Sequence, residues 1–285
     1  MRSALTLLGV VLLTAAAETG DAFQVAIAAR AQQPGDVVVL TIAAPASVET
    51  ISIRALGRAI PAFPTAPGTW QALLGLDIDV HPGRDEILVE GRERGVIRRQ
   101  VVPLTVQPHR FPTRTLRVDP SFVNPPPELL ERITEEAKLL EGLWRASLPS
   151  RLWEGPFVQP VPAPASGRFG ARSIFNGEPR SRHAGEDFPS PAGTPVMAPN
   201  AGRVVLAREL YFAGNTVVID HGLGFFSLLE HLSVIQVKEG DRIQIRQALG
   251  LVGATGRVTG PHLHWAVRVN GARVDPLSIL ATVGR

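Results

Sequence analysis

The chain contains 285 residues, of which 45% are hydrophobic and 19% charged, so it can bury a core, and its length favours two domains. The formal net charge is only +3 and no basic run alternates with aromatic residues, so the sequence predicts no nucleic-acid binding. Cysteine is absent, which excludes disulfides and thiolate metal sites and leaves histidine and carboxylate as ligands for a transition metal.

The first 17 residues have the pattern of a secretory signal peptide. Arg2 precedes an apolar stretch over 4–13, and small residues before Glu18 predict cleavage after Ala17. This stretch is too short for a transmembrane helix, and no later segment is long and apolar enough to span a bilayer. We therefore expect no stable membrane span. The sequence therefore predicts an exported protein of the periplasm or cell envelope.

Residues 23–107 are predicted to form a small antiparallel β-sandwich of the immunoglobulin-like kind. Glycine, proline and aspartate separate short β-rich runs, which occur at 37–42, 51–53 and 87–89. We find no catalytic pattern in this region. His81 and His109 each lie near a proline and are expected to be exposed loop residues.

Residues 108–154 are predicted to form a linker that contains one amphipathic helix. Prolines at 125–127 precede the helix and Pro149 follows it. Apolar residues recur at intervals of three and four, at Leu130, Ile133, Ala137, Leu140 and Trp144. Glutamate dominates the polar face, so we expect the helix to pack between two domains and not to bind a membrane.

Residues 155–285 are predicted to form a second antiparallel β domain, and five of the seven histidines lie there. Helical periodicity is scarce, and Asn270-Gly271 is a two-residue hairpin turn. His221 follows a strand and is expected to be a turn histidine. The fold class is therefore mainly β, with a connecting helix.

Four of these histidines and one aspartate could share a metal site. His262 and His264 lie at i and i+2 of a strand and face the same side, roughly 6–7 Å apart. His183 and Asp187 can converge in a loop or strand entry, although either pair alone has ordinary structural explanations. A catalytic zinc site uses three protein ligands and one open position. The residues predict His183, Asp187 and one histidine of the 262/264 pair as ligands, with the other histidine and His231 near the open position.

The order of short motifs resembles the lysostaphin-type (LytM-type) zinc metallopeptidases of family M23. The likeness begins with the spacing of His183 and Asp187, and it continues at 191–204, 214–224, 231–233, 237–241, 253–256, 259–264 and 275–276. The resemblance covers roughly residues 155–282. It implies a LytM-type peptidase domain in which His183, Asp187 and His264 bind one Zn²⁺ per chain. It also implies that His231 and His262 are catalytic.

The resemblance further implies a function and a partner. Members of the family hydrolyse peptide cross-links of peptidoglycan, or glycine-rich peptides, so a zinc-dependent endopeptidase acting on peptidoglycan peptide is expected. The alternative is a non-catalytic, wall-bound activator of a separate amidase; such members typically lack several of the five site residues. A third prediction is that residues 23–150 contact the cleft and keep the enzyme latent.

This sequence departs from the family pattern at tyrosine positions. Leu229 stands two residues before His231, where members usually carry tyrosine, and the only tyrosine is Tyr211. Some members also have a tyrosine in the loop before the first ligand. Three arginines of this loop could act in its place or be solvated on the surface: Arg172, Arg180 and Arg182.

Overall fold

The structure, a computed structural model, describes residues 23–284, so the predicted signal peptide over 1–17 lies outside the described residues. Strands dominate, and the predicted mainly β architecture is confirmed: an N-terminal β module, a connecting helix and a C-terminal antiparallel sheet. Within the described residues, neither helix combines the length and the apolar character that crossing a membrane requires.

The N-terminal module is one antiparallel sheet of seven strands. The strands are β1 (Gln24–Ala29), β2 (Val37–Ala43), β3 (Val48–Ala55), β4 (Arg58–Ala66), β5 (Thr69–Gly75), β6 (Gly83–Glu93) and β7 (Val96–Val106). Their order is β1-β2-β5-β4-β3-β6-β7. The first half of β4 pairs with β3 and its second half with β5, so the sheet folds over itself in a barrel-like manner. Its interior includes Leu40, Ile53, Leu74 and Ile87.

A small three-stranded sheet joins the connecting segment to the C-terminal half. It contains β8 (Thr113–Leu116), β9 (Arg172–Phe175) and β10 (Glu178–Arg182). β8 pairs in parallel with β9, so the segment that precedes the helix is hydrogen-bonded to the loop that precedes the candidate site. Two short 3-10 turns, at Pro120–Phe122 and Pro127–Leu129, then lead into the helix.

The helix α1 (Leu130–Arg145) has the amphipathic pattern that the sequence predicts. Its apolar side packs on one face of the C-terminal sheet, and the rings of Trp144 and Phe226 lie 5.1 Å apart in an edge-to-face arrangement. The expectation that it packs between two domains is wrong, because its apolar residues meet a cluster that belongs to the C-terminal sheet. The same sheet face carries the candidate site.

The C-terminal sheet has nine strands. They are β11 (Gly185–Pro189), β12 (Pro195–Met197), β13 (Gly202–Leu210), β14 (Gly214–Gly222), β15 (Phe225–Ile235), β16 (Arg242–Ile243), β17 (Ala248–Val252), β18 (His262–Val269) and β19 (Ala272–Val274). The main path is β11-β18-β15-β14-β13-β16, with β12, β17 and β19 attached at the side. The short helix α2 (Pro276–Thr282) follows, and the carboxylate of Asp275 accepts a hydrogen bond from Leu277 N at its start.

The two large sheets share one apolar core. Val37, Val39 and Leu73 of the N-terminal sheet belong to the same buried cluster as Trp265 and Val267 of β18. Side chains alternate across a strand, so Trp265 and Val267 face this core while His262 and His264 face the other way. The N-terminal sheet therefore supports the back of β18 and leaves its histidine face to the cleft.

Polar contacts fix the same interface. Arg273 donates to Asp77 at 2.6 Å and to Asp79 at 2.9 Å, and Arg30 forms an ion pair with Asp275 at 2.8 Å. Gly75 is one point of close approach, because a Cβ atom there would lie 2.7 Å from the Cβ of Ala272. Close packing and partly buried ion pairs at one interface hold the two sheets in a fixed relation.

Candidate metal centre

Three side chains, two from adjacent strands and one from the turn before them, bring their ligand atoms to one point. Oδ1 of Asp187 lies 2.9 Å from Nε2 of His183 and 2.8 Å from Nδ1 of His264, and the two nitrogens are 3.1 Å apart. His183 and His264 are buried, and Asp187 is nearly so. His183 and Asp187 are the two donors predicted from the residues, and His264 is the histidine of the 262/264 pair that the resemblance implies.

The triangle of donors fits a small divalent ion. Zinc binds histidine nitrogen and carboxylate oxygen at about 2.0–2.2 Å, which places tetrahedral ligands about 3.3 Å from one another. The observed separations of 2.8–3.1 Å are close to this spacing. Two imidazole nitrogens and one carboxylate oxygen lie in mutual contact here. If both rings are neutral, these three contacts cannot all be hydrogen bonds, whereas one cation would satisfy all three atoms.

Strand register explains how residues far apart in the chain meet. β11 pairs with β18 so that Asp187 lies opposite His264, and the turn before β11 supplies His183. The close approach also needs Gly185, since a Cβ atom there would lie 2.5 Å from Nε2 of His264. A glycine between His183 and Asp187 therefore leaves room for the imidazole of the facing strand.

A buried carboxylate next to Asp187 orients the first histidine. Nδ1 of His183 hydrogen-bonds to the carbonyl oxygen of Arg168 at 3.1 Å, which directs Nε2 to the donor triangle. Glu186, which is fully buried, holds the loop that carries this carbonyl. Its carboxylate accepts hydrogen bonds from Ser166 Oγ at 2.6 Å and from the backbone N–H of Arg168 and Phe169. Sequence reasoning missed Glu186, although it lies inside the motif.

The connecting segment contributes a cation, Arg114, that contacts Asp187. Arg114 of β8 donates to Oδ2 of Asp187 at 3.2 Å and to Ser173 Oγ at 3.0 Å, so Oδ1 alone faces the two histidines. Burial by itself raises the pKa of Asp187, but the close contacts with His183 and His264 outweigh it and hold the pKa well below its usual range. Asp187 is therefore an anion at any working pH. No local pattern in the sequence singles out Arg114.

A β-bulge turns His231 into the cleft. Val217 pairs with Leu229 and Asn215 pairs with Leu232, so Glu230 and His231 together oppose a single residue. His231 has a positive φ of 66°. Both residues line the cleft, although consecutive residues of a regular strand would face opposite sides.

Hydrogen bonds to backbone carbonyls orient both remaining histidines. Nδ1 of His231 lies 2.9 Å from the carbonyl oxygen of Thr255, and Nδ1 of His262 lies 2.9 Å from that of Gly260. Since Nδ1 must donate in each pair, Nε2 keeps a free lone pair. Burial, helped by the nearby His264 and His262, lowers the pKa of His231 to about 3, so its imidazole is neutral near pH 7. Nε2 of His262 lies 3.6 Å from Oδ1 of Asp187.

The five side chains lie in a cleft of about 700 Å³. Both β8 and α1 contribute walls, through Arg114, Leu140 and Trp144 among others. Of the residues that the structure describes, none from 23–106 lines this cleft. The contact between the N-terminal part of the chain and the cleft is thus made by the connecting segment and not by the first sheet.

Two of the three arginines of the preceding loop pair with groups outside the donor triangle, and the third is exposed. Arg180 donates to the carbonyl of Val123, Arg182 pairs with Asp79, and Arg172 is exposed. Tyr211 donates its hydroxyl to the carbonyl of Ser121, outside the donor triangle.

The structure tests the remaining histidine expectations. His81 and His109 are exposed, as expected. The expectation that His221 is a turn residue is wrong: it lies fully buried in β14, hydrogen-bonded to the carbonyl of Ala201 and to Ser227. An imidazole among rings such as Phe157 and Phe225 is a core residue.

Comparison with known proteins identifies the family. Residues 181–276 match peptidase family M23. A solved structure of a Pseudomonas aeruginosa protein described as an M23 peptidase is 31% identical with a TM-score of 0.67, and the match covers 87% of this chain and 95% of that one. This chain belongs to peptidase family M23. The resemblance in the sequence motifs is thereby confirmed, and it extends over the N-terminal sheet as well as the metal centre.

Curated relatives match about a third of this chain. Peptidoglycan DD-endopeptidase ShyA of Vibrio cholerae is 47% identical over 95 residues, which is 33% of this chain and 22% of that relative. DD-carboxypeptidase/endopeptidase Mpg of Neisseria meningitidis is 41% identical over 97 residues, or 34% of this chain and 22% of that relative. The chain therefore matches less than a quarter of the length of these relatives.

Proposed function

We propose that this chain is a zinc-dependent endopeptidase that hydrolyses peptide cross-links of bacterial peptidoglycan. The observation that carries the proposal is the meeting of five side chains in one cleft. His183, Asp187 and His264 present donors 2.8–3.1 Å apart, and His231 and His262 flank them with free Nε2 atoms. Family M23 is a peptidase family, which agrees with this chemistry.

In this proposal His183, Asp187 and His264 hold one Zn²⁺. When bound, zinc acts as a Lewis acid on a carbonyl oxygen and lowers the pKa of a water molecule to about 7. Arg114 keeps Oδ2 of Asp187 occupied, so the carboxylate offers the metal Oδ1. The carbonyl of Arg168 keeps Nδ1 of His183 protonated and Nε2 free to bind.

His231 and His262 are the proposed proton carriers of the hydrolysis. Each can accept a proton at Nε2 while Nδ1–H stays bound to a backbone carbonyl, and each can return it to the nitrogen of the leaving amine. A neutral His231 suits the accepting step, because its lowered pKa keeps Nε2 unprotonated at neutral pH. Either histidine can be the one that accepts the first proton.

The substrate and location follow from the relatives and the first residues. ShyA is named a peptidoglycan DD-endopeptidase and Mpg a DD-carboxypeptidase/endopeptidase, and each matches about a third of this chain. The expected signal peptide agrees with an envelope substrate. We therefore propose that the protein acts outside the cytoplasm, in the periplasm or cell envelope.

The presence of all five residues in one cleft favours an enzyme over a non-catalytic activator of an amidase. We propose that residues 23–150 contact the cleft through β8 and α1, which form one of its walls. Because the wall includes Arg114, which supports Asp187, it is part of the working site and not a removable cover.

The decisive experiment is digestion of purified peptidoglycan with mass analysis of the released muropeptides. The native protein is expected to hold about one zinc and to cleave cross-links, and a chelator should stop cleavage until zinc is restored. Asp187→Ala should lose both zinc and cleavage, whereas His231→Ala should keep zinc and lose cleavage. An active, metal-free Asp187→Ala protein would refute the ligand set, and a native, zinc-loaded protein without hydrolysis would favour the activator function.

A further inference from the structure

Arg257 is a half-buried cation in the cleft that has no polar protein partner. Five of the seven arginines that line the cleft donate side-chain hydrogen bonds to protein acceptors: Arg114, Arg180, Arg182, Arg268 and Arg273. Arg168 is exposed, so water solvates its charge. Among residues 23–284, the guanidinium of Arg257 has no carboxylate within 4.0 Å and no hydrogen-bond acceptor.

Two aromatic rings hold this guanidinium in position. Its central carbon lies 4.9 Å from the ring centre of Phe175 and 4.6 Å from that of Phe212. The backbone N–H of Arg257 also donates to the carbonyl of Phe212 at 2.8 Å. Stacking uses the faces of the guanidinium plane and leaves its N–H groups for a ligand. A planar, immobilised pair of donors matches the two oxygens of a carboxylate.

Glu230 supplies the opposite charge in the same cleft. Glu230 lies directly opposite His264 in the pairing of β15 with β18, so regular alternation places it on the cleft side, next to the β-bulge that turns His231 into the same cleft. Within the described part of the chain, its carboxylate makes no hydrogen bond or ion pair. Burial is the main effect on both groups, raising the pKa of Glu230 and lowering that of Arg257, and the charge of each partly offsets the shift of the other.

A ligand that satisfies both groups must carry both charges. A simple anion would pair with Arg257 but would leave Glu230 partly desolvated and repelled, and a simple cation would do the reverse. An ammonium and a carboxylate on the same carbon satisfy both groups without a net change of charge. Such an α-amino acid head group occurs on the side chain of a diamino acid within a peptide.

We propose that Arg257 and Glu230 form a substrate subsite for an α-amino acid head group, with the carboxylate at Arg257 and the ammonium at Glu230. The inference rests on the proposed peptidase function and specifies its substrate class: peptides whose side chain ends in a free ammonium and carboxylate. Because both groups line the cleft that holds His231 and His264, binding of this head group positions the neighbouring peptide bond.

The test uses one synthetic cross-linked peptide in four forms. The forms are the free head group, the head group with its carboxylate amidated, the head group with its amine acetylated, and a form with only the C-terminal carboxylate amidated. The zinc-loaded native enzyme should lose about 10–100-fold in kcat/KM with either modified head group, as expected for a charge-assisted hydrogen bond. It should lose little when only the C-terminus is amidated.

Matched variants assign each charge to its residue. Arg257→Gln should cleave the free and the carboxylate-amidated peptides equally, while still discriminating against the acetylated amine. Glu230→Gln should show the reverse pattern. Arg172→Gln, an exposed arginine outside the cleft lining, should behave as the native enzyme. Arg257→Lys, which keeps the charge but not the planar fork, should restore part of the carboxylate preference, and thermal unfolding checks that each variant is folded.

Several outcomes would overturn the subsite. These are equal cleavage of all four forms by the native enzyme, a large loss on amidating only the C-terminus, or an equal loss on every form in Arg257→Gln. Calorimetric titration of the four peptides into the zinc-loaded His231→Ala protein gives a readout that is independent of turnover. If no peptide is cleaved but binding still requires the free head group, the proposed hydrolysis fails and the subsite stands. Cleavage without any preference rejects the subsite alone.

Discussion

Adding one methyl group at Gly185 should disable the metal centre without altering any proposed ligand. In Gly185→Ala the new Cβ atom would lie 2.5 Å from Nε2 and 2.7 Å from Cε1 of His264, and 2.7 Å from the carbonyl oxygen of Trp265. The backbone of Gly185 does not have a positive φ, so alanine can adopt its conformation. The effect is therefore steric.

The size of the effect follows from these distances. Ordinary van der Waals contact begins at 3.4 Å, so the Cβ and the imidazole must separate by about 0.9 Å. The ring cannot turn away freely, because its Nδ1 lies 2.8 Å from Oδ1 of Asp187. Overpacking of this kind costs about 1–3 kcal/mol of unfolding free energy. A displacement of about 1 Å at a reacting site costs on the order of 100-fold in rate.

Zinc affinity, measured by competition with a chromogenic chelator, is the primary assay, and we expect a loss of at least about tenfold. Thermal unfolding and muropeptide digestion measure the other two effects. Gly142→Ala on α1 is the matched control, since nothing lies within 4 Å of its new Cβ and its φ is not positive. Native zinc affinity and activity in Gly185→Ala would refute the reasoning that the close packing of β11 on β18 positions His264.

Three further predictions concern the supporting structure. Burial lowers the pKa of His221 to about 4 from an unfolded value near 6.5, so the neutral ring contributes about 3 kcal/mol of stability that is complete above pH 6.5 and lost as the pH falls toward 4. His221→Gln should flatten the fall in urea-unfolding stability between pH 6.5 and 4, and an unchanged slope would show that His221 does not cause it. Glu186→Gln should cost about 1–3 kcal/mol and weaken zinc binding, because an amide cannot accept all of the hydrogen bonds that reach the buried carboxylate; urea unfolding and the chelator assay measure the two effects, and native values in both would contradict the role of Glu186 in orienting His183. Gly75→Ala should lower stability by about 1–3 kcal/mol through contact with Ala272 and Val269 while zinc affinity stays native, and a loss of zinc without a loss of stability would contradict the separation of the interface from the site.

Local patterns in the sequence determined a large part of the fold and of the candidate site. The spacing of Leu130, Ile133 and Leu140 is enough to predict a helix, because an α-helix repeats every 3.6 residues. The i, i+2 spacing of His262 and His264 is enough to place both on one side of a strand, because side chains alternate with a period of two. The absence of cysteine limits a metal site to histidine and carboxylate ligands.

Tertiary structure alone decided which distant residues meet. The pairing of Asp187 with His264 and the β-bulge at His231 depend on hydrogen bonds between strands that no local period encodes. The same holds for Arg114, which β8 brings to Asp187 from 73 residues away. His221 shows the converse: its sequence neighbours indicate a turn, but burial against residues of other elements makes it part of the core. Periodicity reports which way a side chain points, whereas contact across the sheet is set by the packing of the whole chain.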